Sequence, residues 1–527
     1  MVVIPLCMVV SVLNMYRLPF AVFVTGGVVL VVEVVATRIL APYFGNTIFT
    51  FSSVLSVILA ALSIGYAIGG RLSDRYPNER LFAFIITASG LSIYLVYLCV
   101  VLILPLAAHS LDAVSGPLIV SSGLFFLPAC LLGLLSPFAI NLQSRLTPEA
   151  GIGTISGRIF FWSTAGSIIG SLGTGFFLIP HFGVNAILIG VVVLLLGLGA
   201  ALLLMAQVRG SVVGGLLCIG ILGAIFAPAM GPGLSLYGQE TQYQKINVVD
   251  GQYDNRPARF FLQDHAPSGA IYLESNEPVF ESVKYSALYR VLYPDIHRAL
   301  IIGGGAYNIP KKLLQDVPNI QVDVAEIDPA LQPIAERYFG LKPDNRLIHH
   351  VVDGRQFLHG TEVRYDLIYS DVYYSFSIPM HLATAEFFEA ARAKLNDKGF
   401  FLGNFIGRLV ADEGQSFLLS EMRTFQEIFP NSYFFLTEPD HPTEGQNVIF
   451  LGFKHSTPID FNGSLFTSQT DPFLRSLKGK LIDTAPLDLT RYPKLTDNYA
   501  PVEYLIGRLV AKTQGTRPLS LSAQHSK

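Results

Sequence analysis

The sequence predicts two fold classes in one chain: a multi-pass helical membrane segment, then a small β subdomain followed by a mostly parallel α/β sheet. Three observations predict this. The chain of 527 residues is 51% hydrophobic with a mean hydropathy of +0.47, and residues 1–230 carry nearly all of the excess. From residue 299 onward, strand-like apolar runs alternate with helical patterns, which gives a parallel sheet covered on both faces. One of those runs, Ala299 to Ile302, ends abruptly in Gly303-Gly304-Gly305. Glycines there let the backbone swing through φ > 0 and let a ligand lie against bare main chain.

In the first 230 residues seven apolar stretches reach the ~20 residues a helix needs to cross a bilayer. They lie near 19–41, 50–70, 81–106, 118–142, 157–180, 185–206 and 212–230. The first fifteen residues are also apolar, but they are short and lack a small-residue cleavage pattern, which reads as a degenerate signal or an interfacial leader. Gly65, Gly69 and Gly70 in the second stretch, and Gly166, Gly170, Gly173 and Gly175 in the fifth, let helix backbones approach closely. Glu33 lies well inside the first stretch, where an ionisable group is costly and marks a partner or a polar pathway. Arg38, nearer the helix end, can snorkel. The turn Gly70-Arg71-Leu72-Ser73-Asp74-Arg75 resembles the loop between the second and third helices of major facilitator superfamily transporters. Seven helices cover at most half of that fold.

Arg17, Arg71, Arg75, Arg80, Arg145, Arg158 and Arg209 all fall on one side of these stretches, which the positive-inside rule makes cytoplasmic. An odd number of spans then puts residue 231 onward on the opposite face. That is in tension with the cytosolic location of sulfonium and nucleotide cofactors. The net charge of −3 and the lack of a basic run exclude a nucleic-acid partner on electrostatic grounds. Cys7, Cys99, Cys130 and Cys218 all sit in apolar segments, so residues 231–527 can form no disulfide and no zinc-ligand spacing exists.

The hinge Ala227–Pro232 opens the second half. Thr241 to Leu273 alternates apolar and polar residues, broken at Asp250-Gly251 and Pro267-Ser268-Gly269, which reads as antiparallel strands. A helix near 280–293 completes a subdomain over 231–298. The sheet domain covers 299–510: strand 299–302, helix 308–316, strand 321–326, helix 330–338, strand 347–351, strand 366–370, helix 384–395 and strand 399–405. Residues 511–527 read as a disordered tail. Four acids fall at strand ends, where such sheets hold ligands: Glu326, Asp328, Asp353 and Asp371. Glu326 lies about twenty residues past the glycine turn, the place of an acid that grips ribose hydroxyls. Asp328 reads as a helix N-cap before Pro329, and Asp353 as a group that can cap a turn.

Tyr243-Gln244-Lys245-Ile246, Gly303-Gly304-Gly305, Glu326-Ile327-Asp328, Asp353-Gly354, Tyr365 to Asp371 and Leu495 to Glu503 come in the order seen in spermidine synthases. The whole chain resembles bacterial membrane proteins in which a multi-helix segment is fused to a spermidine-synthase-like domain. The resemblance implies a multi-pass protein of the bacterial inner membrane, with a Rossmann-like, methyltransferase-type domain. It implies decarboxylated S-adenosylmethionine as donor, an amine or polyamine as acceptor, no metal, and room for a homodimer. Gln244 and Gly303, Gly304 and Gly305 would hold the nucleoside product, Glu326 the ribose hydroxyls, and Asp353 with Gly354 the adenine amino group. Asp371 would act as the base.

Three departures stand against that pattern. Gly-Gly-Gly-Asp-Gly becomes Gly-Gly-Gly-Ala306-Tyr307, Asp-x-x-Asp becomes Asp371-Val372-Tyr373-Tyr374, and Glu281 to Lys284 occupies the place of a Tyr-Gln pair. A polycation's pocket relies on carboxylates to offset desolvation, so the acceptor site reads as altered. Two rival functions remain. One is a transporter or sensor whose second half binds a nucleoside or polyamine without turnover. The other is an S-adenosylmethionine-dependent methyltransferase, against which the missing Asn/Asp-Pro-Pro-Tyr counts.

Overall fold

The computed structural model describes residues 6–45, 47–107, 111–112, 114–208, 235–264, 266–373, 378–410 and 416–506. The chain divides into two compact units, Met1–Gly233 and Leu234–Lys527. The expected span 212–230, the hinge 227–232, Cys218, Arg209, Tyr374 and the tail 511–527 lie outside the described residues.

Among the described residues of the first unit, six helices are long and apolar enough to cross a membrane: Tyr16–Phe44, Ile48–Arg75, Glu79–Leu102, Gly116–Leu146, Ile152–His181 and Val184–Met205. They correspond to the first six predicted stretches. The fourth breaks between Gly116–Gly133 and Leu135–Leu146, because Pro137 has no N–H to give the carbonyl of Gly133. The fifth loosens into a π-turn at Thr174–Leu178. Glycines bring backbones together: a Cβ on Gly166 would lie 1.9 Å from the Phe23 carbonyl, and one on Gly65 2.4 Å from that of Cys130. At one end of the bundle Arg17 pairs with Glu79, Arg158 covers the Tyr16 ring at 4.7 Å, and Arg80 Nε donates to the Ala206 carbonyl at 3.0 Å. Asn141 Nδ2 donates to Asp74 there at 2.8 Å. Among the described residues, Arg17, Arg80, Arg145 and Arg158 therefore gather at the end where the first of these helices starts and the last stops.

The second unit opens with a four-stranded antiparallel sheet, β1 (Tyr237–Glu240), β2 (Lys245–Tyr253), β3 (Arg256–Gln263) and β4 (Ala266–Tyr272). The helix expected near 280–293 is a 3₁₀ helix, Glu281–Leu288, followed by one α turn, Tyr289–Leu292. Ser282, Val283, Tyr285, Ser286, Ala287 and Leu288 are all buried. Packing on several sides, rather than one apolar stripe, sets the winding.

Then come β5 (Arg298–Ile302), β6 (Gln321–Glu326), β7 (Leu347–Val351), β8 (Tyr365–Ser370), β9 (Leu395–Gly407), β10 (Asn431–Leu436) and β11 (Gln446–Phe453). They form one sheet of order β10-β11-β9-β8-β5-β6-β7. The run β9-β8-β5-β6-β7 is parallel, while β11 joins β9 and β10 joins β11 antiparallel. The antiparallel edge is an addition the periodicity did not predict. Helices cover both faces, and the central strands β5 and β8 are buried and mostly apolar, as burial on two sides requires, whereas the edge strand β7 carries His349 and His350 and is only half-buried. The chain runs outward from β5 to β6 and β7, then returns to β8 on the other side of β5. The carboxyl ends of β5 and β8 thus flank a topological switch point, where open α/β sheets form a crevice.

Candidate functional site

The glycine turn leaves β5 into this crevice. Gly303 has φ +89°, and a Cβ there would lie 2.2 Å from the Asp371 carbonyl oxygen. Only glycine lets the β5 turn and the β8 exit touch this closely. The Gly303 N–H donates to the Ala325 carbonyl at 3.0 Å, and the Asp371 N–H to that of Ile302 at 2.9 Å. Tyr307 takes a left-handed φ of 56° although it is not glycine. That costs ~1–2 kcal/mol, offset by complete burial of its ring under the turn. Ala306 is also buried and faces Gly269, so neither residue puts a polar group into the crevice.

Glu326 ends β6. Its Oε2 accepts the Gly304 N–H at 2.7 Å and its Oε1 the Asp328 N–H at 2.7 Å. Burial raises its carboxyl above the usual range, against the pull of those two amides and that of Ile327. With the Ile327 amide also bonding it, the carboxylate keeps about one acceptor position for a further donor. Ile327 between the two acids is 40% exposed, an apolar face beside two buried carboxylates. Asp328 is not the helix N-cap expected from Pro329, because the helix Leu331–Tyr338 takes Ala330 in that place. Asp328 Oδ1 accepts the Ala330 N–H at 3.1 Å. Its Oδ2 accepts Thr241 Oγ1 at 2.6 Å and Gln244 Nε2 at 3.3 Å, and thereby ties the β subdomain to the sheet. Gln244 is buried, and its Oε1 accepts Gln263 Nε2 at 2.7 Å. Both ends of its amide are thus engaged, by Asp328 and by Gln263. Tyr243 beside it has its phenol pushed up by burial and by the charges of Asp328 and Glu326.

Asp353, beyond β7, N-caps the helix Gly354–Gly360. Its Oδ1 accepts the N–H groups of Arg355 and Gln356, both at 3.0 Å, and its Oδ2 accepts His381 Nε2 at 2.8 Å. Burial works against the charge, but His381 and the amides outweigh it and hold the carboxyl below its ordinary range. Gly354 has a packing reason to lack a side chain, since its Cβ would lie 2.1 Å from Ile302 Cγ2.

Asp371 follows β8. Burial raises its carboxyl to about 6, with Asn404 Nδ2 donating to Oδ1 at 3.0 Å and pulling the other way. Asn404 comes from β9, and its Oδ1 is buried without a partner.

The structure thus brings Gly303, Gly304, Gly305, Glu326 and Asp371 to one crevice edge, with Asp353 at the end of the neighbouring β7. Sequence reasoning missed Asn404, although a lone amide inside the apolar run Phe400–Ile406 is a signal that could have found it. It also missed Thr241, Ile327 and His381, which carry no local signal.

No family model matches the chain. The chain is 25% identical over 302 residues to a polyamine aminopropyltransferase of Vibrio vulnificus, an alignment covering 55% of this chain and 97% of that protein. It is 24% identical over 362 residues to one of Oceanobacillus iheyensis, covering 64% and 67%. Among solved structures, a probable spermidine synthase from Corynebacterium glutamicum aligns with 51% of this chain and 97% of its own, at 19% identity and a TM-score of 0.42.

Proposed function

We propose that this relative of the polyamine aminopropyltransferases is a membrane-bound enzyme. It moves an aminopropyl group from decarboxylated S-adenosylmethionine to an amine, with an acceptor site unlike that of its relatives. One observation carries the reading: the residue whose carboxyl is raised to about 6, Asp371, has its main chain against the turn of bare glycine backbone at the switch point. The residues fit an adenosyl thioether or sulfonium. Gly303 to Gly305 offer main chain uncovered by side chains, Glu326 an open acceptor position to a ribose hydroxyl, Ile327 an apolar face to a base, and Asp353 an acceptor to an amino group.

The donor supplies a carbon already activated by its positive sulfur. Asp371 receives the proton of the incoming ammonium, which frees the nitrogen lone pair. The new C–N bond then forms as the C–S bond breaks, and the thioether leaves neutral. Placement of amine and carboxylate in one crevice supplies the orientation the step needs. The altered acceptor site follows from Ala306, buried and without charge. The same residue favours a second reading, a nucleoside-binding module without turnover, because a diamine's far ammonium would lack a carboxylate there.

The test is ligand binding followed by turnover. Methylthioadenosine should bind the purified full chain, and Glu326→Ala should weaken it by about 1–3 kcal/mol through lost charge-assisted hydrogen bonds. Equal affinity in the variant would remove Glu326 from the site.

The reading also sets a topology. Its donor is cytosolic, so reporter fusions at Glu79 and at Gly238 should both report the cytoplasmic side. Opposite sides, the outcome expected from seven spans, would cut this site off from its donor and sink the enzyme reading.

A further inference from the structure

The segment Leu495–Glu503 stands out in the sequence without a role, and the structure ties it to the nucleoside side of the crevice. Asp497 grips the Arg355 guanidinium with both oxygens, Nη1 to Oδ1 at 2.6 Å and Nη2 to Oδ2 at 2.5 Å. Thr384 Oγ1 donates to the same Oδ1 at 2.8 Å, and the Asp497 N–H donates to Glu386 Oε2 at 3.1 Å. The segment itself is pinned, because the Ala385 N–H donates to the Leu495 carbonyl at 2.9 Å and the Leu495 N–H to Thr424 Oγ1 at 2.9 Å.

Arg355 carries the constraint onward. Its Nη1 also donates to the His381 carbonyl at 3.1 Å, while His381 Nε2 donates to Asp353 Oδ2 at 2.8 Å. The Arg355 N–H closes the ring on Asp353 Oδ1 at 3.0 Å. A carboxylate offers about four acceptor positions. Two on Asp353 Oδ1 go to the amides of Arg355 and Gln356, and one on Oδ2 goes to His381. One position on Oδ2 is left open. An acceptor with a single open position suits a base edge carrying an exocyclic amino donor, and it repels a carbonyl oxygen in the same place.

We propose that Asp497, Arg355 and His381 form a positioning chain that holds Asp353 with one open acceptor position, so that the site selects 6-amino over 6-oxo purine nucleosides. The proposal rests on reading Asp353 as the partner of the base. Asp497 and His381 touch no ligand and act through Asp353. The Arg355–Asp497 pair is half-exposed on its acidic side and contributes little to stability, so its loss should be read in selectivity rather than in unfolding.

The experiment measures binding of methylthioadenosine and methylthioinosine to the full chain in detergent, with thermal midpoints recorded in parallel. Wild type should prefer the amino nucleoside by roughly 10²-fold, the upper worth of one hydrogen bond to a charged, half-buried group. Asp497→Ala and His381→Asn should each cut that ratio about tenfold and leave methylthioinosine affinity within about twofold. The double variant should lose no more than either single one, and Asp497→Glu should recover most of the preference. An unchanged ratio in Asp497→Ala, or strictly additive losses in the double variant, overturns the chain. Equal weakening of both nucleosides also overturns it, since that is the mark of a structural role. Failure of wild type to bind either nucleoside overturns the underlying functional reading, a result separate from the other three.

Discussion

Asp371→Asn should lower turnover by roughly 10²–10⁴ while methylthioadenosine still binds, because that span is the usual worth of a positioned acid–base group. The nucleoside would lean on Gly303 to Gly305, Glu326 and Asp353, none of which the substitution touches. Asn404 would still meet an oxygen at position 371, so the local hydrogen bond can survive. The pH profile makes the prediction sharper. With its carboxyl raised to about 6 by burial, Asp371 is the proton acceptor only above that pH. Turnover per enzyme at low substrate should therefore rise through pH 6 in wild type and lose that limb in the variant. The same shift has a cost in stability. A carboxyl whose folded value lies above its unfolded one weighs against the fold as it ionises, so this penalty is absent below about pH 4 and fully present above about pH 6. Wild type that binds the nucleoside yet turns over no amine at any pH would favour the binding-module reading.

Gly303→Ala should damage both binding and turnover. The added Cβ would sit 2.2 Å from the Asp371 carbonyl oxygen, and the residue would hold a φ of +89°. Backbone strain of this kind costs ~1–3 kcal/mol, and the contact is with main chain, so no side chain can swing away. Relief must come from moving the β5 turn off the β8 exit. A shift of about 1 Å in a reacting group can cost ~10²-fold in rate. Methylthioadenosine affinity and turnover should each fall at least that far, with a lowered thermal midpoint. A variant with wild-type affinity and rate would mean that the two strand ends do not meet as they do in this structure.

Much of the fold was legible. Strand–helix alternation placed β5 through β8 within a residue or so, because a strand buried on two faces must be apolar along its length. The six described long helices could be read from ~20-residue apolar runs for an equally simple reason. Gly303 and the acid at Glu326 were legible because backbone conformation and strand-end position are local properties. The 3₁₀ winding of Glu281–Leu288 and the antiparallel edge β10–β11 were not, since packing partners far away in the chain decide both.

The site divides along the same line. Residue order was enough to tell which acids stand at strand ends, where the bare backbone lies, and that Ala306 removes a charge. Each of these is settled by residue type and register within one strand and its turn. What each acid faces depends on how distant segments pack. Asn404, 33 residues beyond Asp371, holds its carboxylate. His381, 28 residues beyond Asp353, takes one of its acceptor positions, and Asp497 reaches Arg355 across 142 residues. Asp328 changed from an expected cap into a tie to Thr241, 87 residues earlier. Hydrogen-bond partners and desolvation depend on distances in space, which the periodicity of one chain segment does not encode.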